Sequence, residues 1–241
     1  MILTAHQPGY LPWLGLFHKI CLAEKFVSFN LVQFEVKGWH NRNKIKTSSG
    51  PVWLSVPVFT KNHLNSKMID IEICADIPWQ KKHFKTIKIA YSKSTHWNKY
   101  CDFFEDLYLN HRWENLVDLN QHMLKWFIST LQISCIFEDM RDYNFEGSKS
   151  NLVLDMCVKM GASSYIFGKQ GLDYADCDSF RKHNVDVYFQ DYIHPKYNQL
   201  HGDFLENMSI IDLLFMYGNS SLEVILDKNI KKILVKSLSD K

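Results

Sequence analysis

The stretch from Ile2 to Val36 constrains the fold more tightly than any other part of the chain. Ile2 to Ala5 is a short apolar run that stops at His6-Gln7-Pro8-Gly9, where the proline and glycine end any strand. Pro12 sits where a first helical turn tolerates a missing N–H, and apolar residues continue to about Glu24, which predicts a helix. Phe26 to Val36, rich in Phe and Val, reads as a second strand. Strand, loop, helix and strand complete a βαβ unit if the two strands run parallel.

The rest of the chain extends this pattern. Val52 to Phe59 reads as a strand whose Pro57 belongs at an edge or an end, and Ile69 to Ile73 is another alternating candidate. From Pro78 the periodicity becomes helical, over Trp79–Ser92, Trp97–Tyr108 and Trp113–Leu131, giving a helical block at about 78–132. Asn151–Met160 predicts a helix stopped by Gly161, and Ser164–Phe167 a strand running into Gly168-Lys169-Gln170-Gly171. Val185–Phe189 is the last clear strand. Ser209 caps a helix to Tyr217, and the Lys-rich tail from Lys228 frays or forms a small terminal helix. The expectation is one α/β domain over residues 1–241, with a mainly parallel, Rossmann-like sheet and a helical insertion or covering lobe. Ligands in such sheets bind beyond the carboxyl ends of strands, which points to the loops after Ala5 and after Phe167.

Composition narrows the function classes. Hydrophobic residues make up 46% and charged residues 22%, the balance of a folded globular chain. A formal charge of +2 gives no electrostatic case for nucleic acid or a membrane surface as main partner. The N-terminal MILTAHQPGYLPWLGLF lacks a basic n-region, and Ser209–Tyr217 is far shorter than the roughly 20 residues of a membrane helix. A cytoplasmic protein without membrane insertion is expected. Six cysteines with no CxxC pair read as reduced thiols, and neither they nor the eleven histidines recur at zinc-like spacing, so no metal is expected.

Three motifs carry candidate chemistry, each beside a plainer reading. In His6-Gln7-Pro8-Gly9-Tyr10-Leu11-Pro12-Trp13-Leu14-Gly15, two prolines and two glycines fix an unusual backbone. His6, Gln7, Tyr10 and Trp13 then offer donors and stacking faces, or merely brace a tight aromatic loop. In Trp39-His40-Asn41-Arg42-Asn43-Lys44-Ile45-Lys46, the Arg42 fork suits phosphate or carboxylate, with Asn41, Asn43 and Lys46 beside it. The plainer reading is a solvated basic turn. Lys169, after a strand and between glycines, can reach an anion, although the spacing is not that of a P-loop and a simple turn serves as well. Trp79, Lys82 and His83 open a helix whose lysines fit a solvated face, and Ser209 with Asp212 suffices as a helix cap.

HQPGYLPWLG, WHNRNKIK followed by WLSVPV, Trp79-Lys82-His83 with Tyr91, YIFGKQG-LDY, and the closing Tyr197, Gln199 and SIIDLLFMYG occur in order along nearly the whole chain. Together they resemble the WbqC-like family. That resemblance implies a place in bacterial O-antigen gene clusters and a glycine-transferase role. Two departures stand out: Asn30 where the family often has an acid, and Phe167 in place of a small residue before Gly168. The N-terminal strand, loop and helix also resemble the HIGH-type nucleotide-binding loop of tryptophanyl-tRNA synthetase-like and pantothenate synthetase-like folds. Gln7-Pro8, Leu14-Gly15 and Phe17 fall in register, while Pro12 and Trp13 replace the signature histidine.

The expected function is N-acylation, glycyl transfer above all, of the amine of a nucleotide-linked amino sugar. His6 serves as base or donor, Arg42 and Lys46 hold a phosphate, and Asn41 and Asn43 orient it. The co-substrate is ATP with glycine or a preformed acyl or aminoacyl donor. The alternative is a sugar-nucleotide-binding or assembly protein without turnover.

Overall fold

A computed structural model describes residues 1–36, 38–59 and 66–232. Of the Lys-rich tail, residues 233–241 lie outside the described residues. Five strands form one parallel sheet: β1 (Ile2–His6), β2 (Lys25–Ser28), β5 (Ile136–Asp139), β6 (Ser164–Phe167) and β7 (Asp186–Phe189). Their spatial order is β5-β2-β1-β6-β7, so the chain winds outward from β1 in one direction and then returns to its other side. A two-stranded antiparallel hairpin, β3 (Arg42–Thr47) and β4 (Gly50–Ser55), stands apart from the sheet. The α/β architecture with a Rossmann-like parallel core is the one the sequence predicts.

Sheet faces follow the alternation of side chains. Leu3, Ala5, Val27, Tyr165 and Phe167 pack with Leu152, Val153, Met156 and Cys157 of α5 (Lys149–Met160) and Phe180 of α6 (Cys177–Lys182). Phe26, from the alternate register, joins a larger core with Phe17 and Ile20 of α1 (Leu14–Leu22). That core continues through α2 (Trp79–Tyr91), α3 (Trp97–Glu105), α4 (Leu116–Thr130) and α7 (Ile210–Tyr217), so the predicted helical block covers one face. With helices on both faces, β1 is buried on each side and reads as an apolar run. Its one polar core residue, Thr4, donates its hydroxyl to Ile166 O at 2.7 Å. Gly161 ends α5 at φ 67°, with Ala162 N donating to Cys157 O, as the glycine stop requires.

Several boundaries differ from the sequence reading. The second strand ends at Ser28 because the chain turns at Asn30, whose N–H reaches back to Ser28 O. Ile69–Ile73 is no strand but a 3-10 turn over Met68–Asp70, tied by single bridges from Ile73 to Val58 and from Glu72 to Asn115. The WHNRNKIK segment itself holds a strand, β3.

The loop between β1 and α1 is pinned from outside. Asn120, fully buried on α4, donates Nδ2 to Pro8 O at 3.2 Å and to His40 O at 2.8 Å, and Tyr10 N donates to the same His40 carbonyl. Leu11, at a left-handed φ of 45°, has its carbonyl held by Asn43 Nδ2 at 2.6 Å. Asn120→Ala leaves the Pro8 carbonyl buried without this donor, so a loss of about 2 kcal/mol is expected. Urea unfolding of the two proteins measures it.

Candidate functional site

The sheet opens between β1 and β6. Their pairing runs Ile2–Ser164, Leu3–Tyr165 and Thr4–Ile166 and stops there, whereas β1 stays paired with β2 through His6–Ser28. This is also where strand order reverses, the position at which open α/β sheets bind ligands. The Ala5 carbonyl, just past the last β1–β6 pair, accepts a hydrogen bond from Lys19 Nζ at 2.9 Å. Lys19 rises from α1 and is buried, with 5% of its surface exposed. Gly168, just after β6, presents no side chain: a Cβ there would lie 4.0 Å from Lys19 Nζ.

His6 closes β1 at the same edge. Its Nδ1 lies 2.7 Å from Gln7 O, an acceptor only, so Nδ1 carries the proton and Nε2 keeps the lone pair. Burial, then the charges of Lys19 and His40, outweigh the Gln7 hydrogen bond and push His6 down to about 4, so the ring is neutral at pH 7. Burial pushes Lys19 down to about 7. A neutral imidazole with an unprotonated Nε2 beside a buried amine is open to a hydrogen bond or a proton from a nucleophile.

The ends of β2 and β5 add a second polar group. Asp139 Oδ1 accepts from Asn30 Nδ2 at 2.7 Å and Oδ2 from Gln121 Nε2 at 3.0 Å, while Arg141 grips both oxygens. Burial opposes ionisation of Asp139, but these hydrogen bonds outweigh it and hold the carboxyl below its usual range. Asn30 thus faces a carboxylate, that of Asp139. Its own Oδ1 is buried with no partner among the described residues.

The sequence-predicted residues separate into those at this edge and those elsewhere. Gln7 follows His6 and donates Nε2 to Gln33 O at 3.1 Å. Tyr10 is fully buried, its hydroxyl bonded to His83 Nδ1 at 2.8 Å and to Tyr108, inside a cluster with Trp79. Trp13 lies across Gly15, where a Cβ would sit 2.2 Å from the indole, and meets Tyr192 edge-on. Asn41 donates to Val56 O, and Asn43 is buried under Leu11. Arg42 lies on the hairpin with its guanidinium 4.9 Å from the Trp53 ring centroid. Lys46 is buried and spends Nζ on Gln199 Oε1 at 2.8 Å and on the carbonyls of Gly202 and Asp203. Lys169 is exposed on the 3-10 turn that follows β6.

The loop, the hairpin, the helical block and the β6 turn therefore occur together, in the order their motifs have in the sequence. A family model of the WbqC-like protein family matches residues 7–224. The chain belongs to the WbqC-like protein family. It is also 32% identical over 213 residues to the uncharacterized protein Rv1507c of Mycobacterium tuberculosis, covering 88% of this chain and 92% of that relative. No solved structure matches. In this WbqC-like protein no helix of the described residues is long and apolar enough to cross a membrane. The described residues hold no cluster of three or more His, Cys, Asp or Glu arranged for a metal.

Sequence reasoning assigned no role to Lys19, Asn120, Gln121 or Asp139. Each sits beside apolar residues on a helix or at the end of a short strand, where a polar residue reads as a solvated tip. The available signal was Lys19 inside LGLFHKICL, a helix buried almost all round.

The His6 environment has a pH signature. An unfolded histidine titrates near pH 6.5, and His6 in the fold near 4. Between these values the unfolded chain binds more protons, so stability falls as pH falls from 6.5 to 4. His83, also pushed down to about 4, adds a similar loss. Removing His6 in His6→Gln should make the slope of unfolding free energy against pH shallower in this window. Parallel curves for the two proteins would place His6 in solvent.

Proposed function

We propose that this WbqC-like protein is an enzyme of surface-polysaccharide biosynthesis that acylates the amine of a nucleotide-linked amino sugar, with glycyl as the acyl group. The observation that carries the reading is His6 at the switch point, neutral, with Nδ1–H committed to Gln7 O and Nε2 left unprotonated. In the proposed step the unprotonated sugar amine attacks the activated carboxyl carbon, forming the C–N bond. Nε2 of His6 takes the proton that the amine loses, and the leaving group departs with its electron pair. From a glycyl adenylate, formed from ATP and glycine with release of pyrophosphate, the leaving group is AMP; from a preformed acyl donor it is the carrier. Gln7, partly exposed at the end of β1, supplies polar groups for the sugar on the β2 side. Lys169, exposed beyond β6, is a second cation for the donor.

A second reading, sugar-nucleotide binding without turnover, is favoured by the hairpin. Trp39 and Trp53 are 50% and 45% exposed, with centroids 5.2 Å apart, and Arg42 and Lys44 lie over the Trp53 ring. An aromatic and cationic face of that kind binds a ring bearing a phosphate. Turnover separates the two. With an amino-sugar nucleotide and each donor in turn, His6→Gln should reduce turnover per folded molecule by about 10²–10⁴ while leaving nucleotide affinity nearly unchanged. Normal turnover in the folded variant removes the base role. Binding without product in the native protein favours the second reading.

A further inference from the structure

Among the described residues two lysines and no arginine are buried, and they are bonded in opposite ways. Lys46 places its ammonium among three oxygens, those of Gln199, Gly202 and Asp203, with the buried Asp212 carboxylate nearby. An ammonium has three N–H donors, and this one is supplied with three acceptors. Its role is structural: it holds the 199–203 segment against β3. Lys19 has one acceptor, Ala5 O, and no ion pair among the described residues. A buried amine left this way holds its proton weakly, and an anion that completes its shell restores the charged form.

Lys19 is also where a ligand would arrive. Its Nζ lies at the carboxyl ends of β1 and β6, where their pairing stops at Thr4–Ile166, near His6 and 4.0 Å from where a Cβ on Gly168 would stand. Gly168 has φ −70° and ψ 169°, which any residue adopts, so its backbone does not require glycine. What glycine provides here is the missing Cβ, the atom that would otherwise lie in contact with Nζ.

We infer that Lys19, at the carboxyl ends of β1 and β6 and with no side chain set against it by Gly168, is an oxyanion-binding residue that takes a phosphate or carboxylate oxygen of the substrate. The anion accepts the Lys19 N–H bonds that Ala5 does not use, and it sits one strand end away from the His6 imidazole. This deepens the acylation reading by replacing Lys46 with Lys19 as the cation of the site; it rests on that reading only for the identity of the substrate. The two sources of such an oxyanion are the phosphate of the nucleotide and the carboxylate of the amino acid.

Anion binding is measurable without turnover, so the test stands whether or not the protein acylates anything. Melting temperature is followed while inorganic phosphate, or separately acetate, replaces chloride at constant ionic strength and pH 7. The native protein should show a saturable rise. A rise with phosphate assigns the nucleotide phosphate, a rise with acetate alone assigns the carboxylate, and no rise with either overturns the inference. Lys19→Met keeps the length of the stem without the charge. It should melt higher than the native protein in chloride, because an incompletely bonded buried charge is gone, and it should lose the saturable rise. A Lys19→Met protein that retains the rise overturns the inference. Gly168→Ala keeps Lys19 and the backbone conformation and only covers Nζ, so apparent affinity should weaken by about tenfold or more, equivalent to about 1.4 kcal/mol. Native affinity in Gly168→Ala places the anion elsewhere and overturns the inference, even if Lys19→Met does not fold.

Discussion

The His40 carbonyl accepts from the Tyr10 backbone and from Asn120 Nδ2, and the same side-chain amide reaches Pro8 O, so three distant segments share one buried knot. The loop after β1, the start of the hairpin and helix α4 meet there. Without the knot, a loop with two prolines and a left-handed Leu11 has many conformations of similar energy; with it, His6 and Gln7 leave the sheet in one direction. Close approach is part of the same arrangement. A Cβ on Gly9 would meet the Trp39 carbonyl at 3.3 Å, so a side chain there would push the loop and the hairpin segment apart by a few tenths of an ångström.

From that constraint follows a division of the polar residues into braces and working groups. Tyr91 and Tyr197 both donate to Asp212, Lys46 binds the 199–203 segment, and Asn43 holds Leu11; each donor has its acceptor and nothing remains for a ligand. At the parting of β1 and β6 satisfaction is incomplete. Lys19 has one acceptor among the described residues, and His6 has a committed Nδ1 and an unprotonated Nε2. Native proteins satisfy buried polar groups almost everywhere, so a buried lysine with a single acceptor at a strand-order reversal is a place where a ligand can complete the bonding.

Much of the fold was legible because its grammar is local. Ile2–Ala5 with its Pro/Gly stop, Ser164–Phe167 before Gly168, and the α5 helix ending at Gly161 each combine a periodicity with a punctuating residue. What escaped was structure whose reason lies far away in sequence. β3 is Arg-Asn-Lys-Ile-Lys-Thr, a basic turn by composition, and it is a strand because Tyr91 and Gln199 receive its buried Lys46. β5 is four half-exposed residues at a sheet edge, too short and too polar for an alternation signal. Of the candidate residues, the sequence marked His6 and Gln7, which lie at the end of β1, but did not mark Lys19, which is buried beside them. Arg42 and Lys46 drew attention because basic residues cluster there, yet a cation's usefulness depends on its acceptors, which spacing does not reveal.

The central claim is that the chemistry sits at the parting of β1 and β6 and not on the aromatic face of the hairpin. A crystal structure with a nucleotide-linked amino sugar bound tests it most directly. The account predicts the sugar nitrogen within about 2.6–3.2 Å of His6 Nε2, the reach of a general base, with a substrate oxyanion on Lys19 Nζ. A ligand stacked on Trp39 and Trp53, with His6 and Lys19 untouched, would contradict it.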